Sequence, residues 1–309
     1  MKKYLNIAMQ KKPFIFLDQL IYRVSTHHVT GGGAALTYFL VLSVFPFLIV
    51  LLNVLSYTPL GSIDVILDMI KYIPVDIQKI IEGFVNDVVS GSSQGLLSAA
   101  AIGGIWTASS GVRAIIRSLN EAYECSDNRS FLKQRGLSIL FTVALIIMII
   151  TVFITLVLGK LLGQLVFEFL NITTYFLTIW NYLRFIIPLL FMILTFALLY
   201  KYGPNVDGRR SISLKKTLPG ALFASLSWIL ISTLFSFYVS NFGKYSVTYG
   251  SLGGVIVLLV WLFISSIIII LGGEINATLE SLKERSYKLD PERSFTTNLF
   301  KEKEELGKA

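Results

Sequence analysis

The side chains with the clearest chemical potential lie at the ends of apolar segments. Glu274 and Asn276 close the last apolar segment, and Arg113 and Arg117 close the second one. A charged group at the edge of a membrane-length apolar run pairs with an opposite charge or faces a polar pathway. The pattern leaves two interpretations open: side chains that only extend to the headgroup region, or a headgroup or anion site at one end of a helix bundle.

The spacing of the last pair indicates two different neighbours. Glu274 and Asn276 are two residues apart, so on a helix their side chains point about 160° apart. We expect Glu274 to pair with Arg113 or Arg117 at the same depth, and Asn276 to cap free backbone groups. A second interpretation stays open, in which Glu274, directly after two glycines, only marks a helix leaving the bilayer.

Enzymatic chemistry finds little support among the remaining reactive residues. His27 and His28 are adjacent, so on a helix they point about 100° apart and cannot hold one metal ion together. Cys125 is the one cysteine, which excludes an internal disulfide and a multi-cysteine metal site. Asp127 and Glu274 have no partner at a spacing that suits general acid and base catalysis. We therefore expect no enzyme, no cofactor and no metal site.

The composition indicates a membrane protein. Of 309 residues, 54% are hydrophobic and 15% are charged, whereas about a quarter are charged in an ordinary soluble domain. The stretch from Leu252 to Leu271 lacks ionisable side chains over the roughly twenty residues that a spanning helix needs. Comparable segments predict an all-α polytopic membrane helical bundle with six transmembrane helices, at about 33–55, 96–116, 137–158, 179–200, 218–239 and 251–271.

Amphipathic segments flank this bundle. Residues Pro13–Val24 place apolar residues on one helical face, which predicts an N-terminal interfacial helix; a helix tucked under the bundle is the alternative. The acidic stretch Ser56–Ser93 predicts an outer amphipathic helical pair. We expect one bundle domain over residues 1–280 and a charged cytoplasmic tail over 281–309 that frays into disorder.

Two spans carry distinctive polar residues. Pro46 interrupts the first span, Ser43 is placed to bond the carbonyl that this proline frees, and Tyr38 lies near the same side. These three residues line a cavity or simply pack against another helix, and the sequence leaves both open.

The second span is rich in alanine, glycine and serine, which predicts close helix contact in the bundle interior. It contains Trp106 and Ser109, and it ends with Arg113, Arg117 and Asn120. The two arginines either extend to the headgroup region or form a headgroup or anion site.

Positive charge predicts the orientation. Lysine and arginine are concentrated in the N-terminal segment and in the loops after the second and fourth spans, with five in each, against five in total in the three opposite loops. By the positive-inside rule both termini are cytoplasmic. The net charge of +8 is thus mainly a topology signal, and we expect no nucleic-acid partner.

Three segments resemble the YihY/BrkB family of bacterial inner-membrane proteins. They are AALTYFLVLSVFPFLIVLL at Ala34–Leu52, GGIWTASSGVRAIIRSLNEAY at Gly103–Tyr123, and the long run LPGALFASLSWILISTLFSFYVSNFGKYSVTYGSLGGVIVLLVWLFISSIIIILGGEINA at Leu218–Ala277. The resemblance extends from roughly Arg23 to Leu279 and implies a multipass protein of the bacterial plasma membrane.

The resemblance also implies which residues carry family character, although it assigns them no settled role. They are Tyr38, Ser43, Pro46, Trp106, Ser109, Asn120, Pro219, Trp228, Tyr238, Tyr245, Tyr249, Gly250, Trp261, Glu274 and Asn276. Members have been labelled tRNA-processing ribonuclease BN, virulence factor or transporter. Two histidines and one cysteine give the nuclease label no support.

Three functions compete at this point. The first is a transporter, or a protein that translocates a lipid or envelope precursor, with membrane lipids as partners and a hydrophobic or lipid-linked substrate. The second is a scaffold or regulator that docks other envelope proteins, and the third, least supported, is a membrane enzyme. The sequence does not determine whether the chain forms a homo-oligomer. The candidate transport or structural site comprises Tyr38, Ser43, Pro46, Trp106, Ser109, Arg113, Arg117, Asn120, Tyr238, Tyr249, Glu274 and Asn276.

Overall fold

The chain is all-helical over the part that the computed structural model describes, which is residues 11–56, 94–153, 155, 174–206, 212–242, 252–288 and 290–299. Seven helices and one 3-10 turn organise these residues. They are α1 (Lys12–Thr26), α2 (Val29–Ser56), α3 (Gln94–Ala122), α4 (Phe131–Phe153), α5 (Thr174–Tyr202), α6 (Leu214–Phe242), α7 (Leu252–Glu284) and the 3-10 turn Pro291–Arg293.

Each predicted span overlaps one helix from α2 to α7. Among the described residues, four helices are long and apolar enough to cross a membrane, and α2 contributes a shorter apolar stretch, Val29–Val44. The four are Phe131–Val152, Tyr182–Tyr202, Leu214–Val239 and Gly253–Glu284. The predicted amphipathic pair over residues 57–93, residues 154 and 156–158 of the predicted third span, and Tyr249 lie outside the described residues.

The helices pack as a closed ring. Each of α2 to α6 contacts the next helix in the chain, α7 closes the ring against α2, and α7 also contacts α1 and α3. The core between them is aliphatic and aromatic, with Leu36, Ile115, Leu119, Phe196, Leu199, Tyr200 and Ile270 almost fully buried. The outer faces are also apolar, as Leu140, Leu190, Leu230 and Phe237 illustrate. A surface this apolar suits lipid rather than water.

Glycines allow α7 to approach its neighbours closely. A Cβ added at Gly220 of α6 would overlap the carbonyl oxygen of Gly272, and one at Gly33 of α2 would lie 2.9 Å from Cγ1 of Ile267. Close backbone contact maximises dispersion between helices, which matters in a bilayer because lipid is as apolar as the core. The small residues of the predicted spans therefore determine where the helices cross.

A reciprocal pair of tryptophan–serine hydrogen bonds joins α6 to α7. The indole Nε1 of Trp228 donates to Ser265 Oγ at 3.1 Å, and that of Trp261 donates to Ser232 Oγ at 3.2 Å. The two rings also meet edge to face, with centroids 5.8 Å apart. Two hydroxyls of this helix pair therefore satisfy buried indole donors.

Of the two interpretations left open for the first span, the described contacts favour helix packing. Ser43 Oγ donates to the carbonyl of Leu40 at 2.7 Å, three residues back, so it does not bond the carbonyl of Leu42 that Pro46 frees. Tyr38 is 60% exposed on the outer surface. Pro46 instead packs against α3, where a Cβ at Gly104 would lie 2.7 Å from its ring. The first span therefore uses its proline for helix packing.

One end of the bundle collects the charged segments. The start of α2, the end of α3 and the end of α7 meet there, since Ser118 packs on Gly32 and Arg23 bonds both Ala122 and Glu274. Arg129 donates to the carbonyl of Gly203 after α5, which brings the α3–α4 loop and the end of α5 to the same end. We call this the charged end. The loops in which lysine and arginine are concentrated thus share one end.

The N-terminal helix turns its polar face inward. Asp18, Gln19 and Arg23 of α1 are buried, while Leu17 and Ile21 are 55% and 47% exposed. The helix contacts α7 through this polar face. Of its apolar residues, Ile15 is buried with this face, whereas Leu17 and Ile21 point away from the protein.

The chain after α7 returns to the bundle over residues 290–299, and the end of the predicted tail, residues 300–309, lies outside the described residues. Asp290 caps the 3-10 turn by accepting from the backbone N–H of Glu292 at 3.1 Å. The segment then returns to α1, where the N–H and hydroxyl of Thr296 donate to Asp18 Oδ1 at 2.9 and 2.8 Å. Both described ends of the chain are thereby held together at the charged end.

Candidate functional site

A fully buried carboxylate marks the charged end of the bundle. Glu274 lies on α7 after about five helical turns of apolar residues, and its side chain has no solvent exposure. Burial follows from the two glycines before it, because Gly273 and Gly272 bring α7 against Leu119 and Tyr200. An ionised carboxylate in such surroundings requires a positive partner and hydrogen bonds.

Two residues around the α1–α2 turn supply these partners. Arg23 donates from Nε to Glu274 Oε2 at 3.3 Å, and His27 Nδ1 lies 2.7 Å from Glu274 Oε1. The predicted pairing of Glu274 with Arg113 or Arg117 is therefore wrong. Both of those arginines belong to a different cavity, described below.

Arg23 connects the carboxylate to a second acidic residue. Its Nη1 lies 3.3 Å from Glu124 Oε1, and its Nη2 donates to the carbonyl of Ala122 at the end of α3. Arg293, from the returning C-terminal segment, also donates to Glu124. Glu124 adopts a positive φ of 51° directly after α3, where the chain leaves the helix. Four charged groups from four parts of the chain thus form one network, the Glu274 network.

Two cavities lie on either side of this network. One of about 110 Å³ is bordered by Tyr123, Glu280 and Arg285, and one of about 200 Å³ by Gln19, Tyr22 and His27. Both cavities are also lined by Arg23, Glu124 and Arg293. The ion pairs therefore separate two spaces that are each large enough for several waters.

Asn276 serves a different neighbour, as its spacing from Glu274 predicted. Its Oδ1 accepts from the N–H of Gly220 at 2.7 Å, and its Nδ2 donates to the carbonyl of Thr217 at 3.0 Å. These backbone groups flank Pro219, which lies inside α6, in its second turn. Asn276 is 2% exposed and holds α6 against α7. Its role in the described geometry is structural.

The comparisons with known proteins identify the family. The family model described as virulence factor BrkB matches residues 20–295, which is most of the chain and includes both Glu274 and Arg23. The chain belongs to the virulence factor BrkB family. Arg293 at the end of the Glu274 network also falls inside the matched region, so the network lies within the part that characterises the family.

Three named relatives align with most of this BrkB-family chain. A protein of Bacillus subtilis named "Putative ribonuclease-like protein YfkH" is 41% identical over 269 residues, covering 87% of this chain and 96% of its own length. A "UPF0761 membrane protein" of Pseudoalteromonas atlantica is 26% identical over 280 residues, covering 87% of each chain. One of Aliivibrio salmonicida is 27% identical, covering 86% of this chain and 82% of its own. No solved structure matches significantly.

The BrkB-family chain brings only some of the predicted site residues together. Arg113, Arg117 and Asn120 line one cavity at the end of α3. Tyr38, Trp106 and Tyr238 are exposed on the outside of the bundle, and Ser109 is buried with its hydroxyl bonded to the carbonyl of Trp106. The predicted residues therefore do not converge on a single site.

The prediction missed the residues that complete the Glu274 network. These residues are Arg23, Glu124 and Arg293. They lie in the amphipathic or loop segments that flank the apolar runs, whereas the predicted site residues came from the runs and their ends. One signal was available for Arg23, because it lies one or more helical turns after Asp18 and Gln19 on the polar face of α1. Nothing in the local sequence distinguishes Glu124 or Arg293.

The ion pairs of the C-terminal segment predict that its attachment to the bundle depends on pH. Burial raises the pKa of Glu124, but the hydrogen bond from Arg293 and the charges of Arg23 and Arg293 outweigh it and hold the pKa below its usual range. Burial likewise raises the pKa of Asp290, but hydrogen bonds from the backbone N–H of Glu292 and from Arg285 outweigh it and hold the pKa below its usual range. A carboxyl whose pKa is lower in the folded than in the unfolded state stabilises the folded state at every pH above its unfolded pKa. This stabilisation is lost as the pH falls through the folded pKa.

We expect the C-terminal segment to detach from the bundle on acidification. A nitroxide label on residue 298, in a Cys125→Ser background, should be immobile at about pH 7 and become mobile as the pH falls through the folded pKa values, which lie below their usual range. Glu124→Gln should already raise the mobility near neutral pH and reduce its pH dependence, because one titrating partner is gone. An unchanged spectrum over this range, with the helices intact by circular dichroism, would contradict the expectation.

Proposed function

We propose that this chain is a bacterial inner-membrane protein with six spans and cytoplasmic termini that transports or translocates a hydrophobic or lipid-linked envelope precursor. The observation that carries the proposal is the fully buried carboxylate of Glu274, held by Arg23 and His27 at one end of an apolar bundle. Ionisable groups inside membrane bundles are costly and mark pathways or coupling sites more often than stabilising contacts.

The arrangement around Glu274 suits a gate. Arg23, Glu124 and Arg293 line both neighbouring cavities, so parting their side chains would join the two spaces. The contacts belong to separate segments of the chain, α1, the α3–α4 loop and the C-terminal segment. Small relative movements of these segments would therefore break or remake the ion pairs without unfolding the ring.

The orientation follows from the charged end. Basic residues of the α1 region, the α3–α4 loop and the start of α6 lie at the end where α7 finishes. The positive-inside rule places that end in the cytoplasm. The Glu274 network then lies at the cytoplasmic opening of the bundle, where an envelope precursor made in the cell would enter.

Flux into proteoliposomes tests the proposal. Purified protein should accelerate the movement of fluorescent phospholipids or lipid-linked sugar precursors across the bilayer, with and without ion gradients. Glu274→Gln should reduce the rate about tenfold or more, as for loss of a buried ionisable group on a transport path. Glu121→Gln, an exposed carboxylate on α3 at the same end, is the matched control and should leave the rate unchanged. Absence of movement for every lipid and gradient tried would overturn the proposal.

Docking of other envelope proteins is the second candidate, favoured by the outward apolar residues Leu17 and Ile21 on α1 and by Phe295 and Leu299 on the C-terminal segment. Truncation after Ser281 would not test docking alone, because it removes Arg293 and Thr296, which bond Glu124 and Asp18. The double variant Phe295→Ser/Leu299→Ser is the sharper test, because it alters two of these exposed apolar side chains and keeps Arg293 and Thr296. Docking is supported if that variant abolishes the cellular phenotype while Glu274→Gln leaves it intact.

We include the absence of enzymatic activity in the proposal. The ribonuclease-like name of the Bacillus subtilis relative raises the question of RNA cleavage. We assign His27 to the Glu274 network, because Glu274, its partner at 2.7 Å, is also bonded to Arg23. Cleavage of labelled tRNA by the purified protein, lost in His27→Gln, would contradict this part of the proposal.

A further inference from the structure

A separate basic cavity lies where α3 meets α4. It encloses about 130 Å³, and its lining includes Arg113, Arg117, Arg129, Asn120 and Gln134. Its lining residues are distinct from those of the two cavities beside Glu274. A space of this size holds one small oxyanion together with water. The cavity therefore requires an explanation other than the gate.

The one carboxylate that lines the cavity is already neutralised. Asp127 accepts two hydrogen bonds from the guanidinium of Arg129, at 2.7 Å from Nε and 3.1 Å from Nη2. The amide of Asn120 also donates to Asp127, at 3.3 Å. Burial opposes these bonds, yet together they hold the pKa of Asp127 below its usual range, so it is ionised and bound at neutral pH. Arg129 and Asp127 thus contribute no net charge.

The other two arginines lack a counter-ion among the described residues. Arg113 has one polar contact, a 3.4 Å hydrogen bond from Nη2 to the neutral oxygen of Gln134. Arg117, one turn further along α3, is exposed and forms no ion pair within the described part of the chain. Glu121, a turn beyond Arg117, does not line the cavity. Within the described part of the chain, two positive charges therefore border the cavity without a paired carboxylate.

The surroundings place these charges beside a lipid-facing surface. Phe131 and Leu132, which begin α4, are 58% and 81% exposed, and the Arg113 guanidinium lies 5.6 Å from the centre of the Phe131 ring. Further along α4, Leu140, Val143 and Ile147 are exposed apolar residues. An amphiphile could thus place its polar group in the cavity and its chains along α4, as membrane-edge aromatic and basic residues do with lipids.

We propose that the cavity formed by Arg113, Arg117, Asn120 and Gln134 binds the phosphate group of an anionic membrane lipid at the cytoplasmic rim of the bundle. Guanidinium groups suit phosphate because their paired N–H donors match two phosphate oxygens. The amide nitrogens of Asn120 and Gln134 also border the cavity; each already donates one hydrogen bond, to Asp127 and to the carbonyl of Arg129, and each has a second N–H for a phosphate oxygen. This binding goes beyond the transport function and does not depend on whether anything crosses the membrane.

Retention of a bound lipid by the full-length protein is the test. Protein in nanodiscs of phosphatidylcholine containing a minor fraction of phosphatidylglycerol is transferred to detergent, and co-purified lipid is measured by mass spectrometry. We expect the phosphatidylglycerol enrichment of the wild-type protein to fall about tenfold or more in the double variant Arg113→Gln/Arg117→Gln, since both phosphate-binding guanidiniums are removed. The matched control Lys133→Gln/Lys215→Gln removes two exposed charges at the same end and should retain the enrichment.

Further measurements separate the outcomes. Equal enrichment in wild-type and arginine variant overturns the proposal, and so does an equal loss in the lysine control, which would show non-specific attraction. Displacement of phosphatidylglycerol by millimolar inorganic phosphate would identify a site for a soluble anion and likewise overturn the lipid assignment.

If the arginine variant fails to fold, a photo-crosslinking residue at Leu132 provides an independent measurement in an otherwise unchanged chain. We expect it to label phosphatidylglycerol in preference to phosphatidylcholine, whereas one at Leu218, exposed at the start of α6, should not discriminate. Absence of preference at Leu132 would overturn the proposal.

Discussion

Replacement of Glu274 by glutamine is expected to destabilise the bundle by about 3 kcal/mol, the lower part of the range for breaking a buried ion pair. The change leaves the guanidinium of Arg23 in a site where it is 6% exposed, with Glu124 as its remaining acidic partner at 3.3 Å. Because Glu124 is partly exposed and also binds Arg293, it compensates only in part. Thermal unfolding in a fixed detergent, followed by circular dichroism, measures the loss.

A double-mutant cycle distinguishes the observed pairing from the one that the sequence predicted. Arg23→Gln should also destabilise, and the double variant with Glu274→Gln should lose less than the sum, because neither charge is then left unpaired. Arg113→Gln should show no coupling to Glu274→Gln, and Glu121→Gln alone should change stability by less than about 0.5 kcal/mol, as exposed side chains do. Coupling to Arg113 but not to Arg23 would contradict the structure.

The α6–α7 crossing should be the least tolerant point of the bundle. Gly220→Ala places a methyl group against the carbonyl oxygen of Gly272 and 2.7 Å from Cγ of Asn276. The neighbouring atoms are backbone and a side chain that bonds the Gly220 N–H itself, so relief requires the helices to move apart. We expect a loss of roughly 3 kcal/mol, the upper part of the usual range for overpacking.

Gly136→Ala is the matched control for this substitution. Gly136 also lies inside a helix, but an added Cβ would meet no atom within 4 Å. We expect it to be neutral or to stabilise by up to about 1 kcal/mol, because alanine is the better helix former. Thermal unfolding of both variants in the same detergent gives the comparison. Similar effects for the two would show that helix propensity, rather than the crossing, governs the response.

The two proposed features share the charged end but work differently. The Glu274 network joins segments that are far apart in the chain and has its charges paired, which suits a gate. The α3–α4 cavity has two uncompensated arginines beside exposed apolar side chains, which suits a bound lipid phosphate. A lipid held there would lie next to the end of α3, whose final carbonyl, that of Ala122, accepts from Arg23. Binding and gating variants should therefore be measured in both assays.

The length of the apolar runs was sufficient to locate the described helices of the bundle. Runs of apolar residues of membrane length require helices, because no other open structure satisfies the backbone in lipid. The predicted spans accordingly overlap α2 to α7, and the membrane character agrees with the family of the chain. The spacing of Glu274 and Asn276 likewise predicted correctly that they have different neighbours, since two residues on one helix have a fixed angular relation.

Only the tertiary structure decided which charges meet. Arg23 lies 251 positions from Glu274 along the chain. Three basic residues lie near the same end, Arg23, Arg113 and Arg117, so depth in the membrane does not determine which of them pairs with Glu274. The choice depends on the face that α1 turns toward α7 and on the return of residues 290–299 to Asp18. Local sequence determines a helix and its polar face. Which polar faces meet depends on how the helices pack against one another. Glycines such as Gly220 and Gly272 allow this packing, and the contacts that they form join residues distant in sequence.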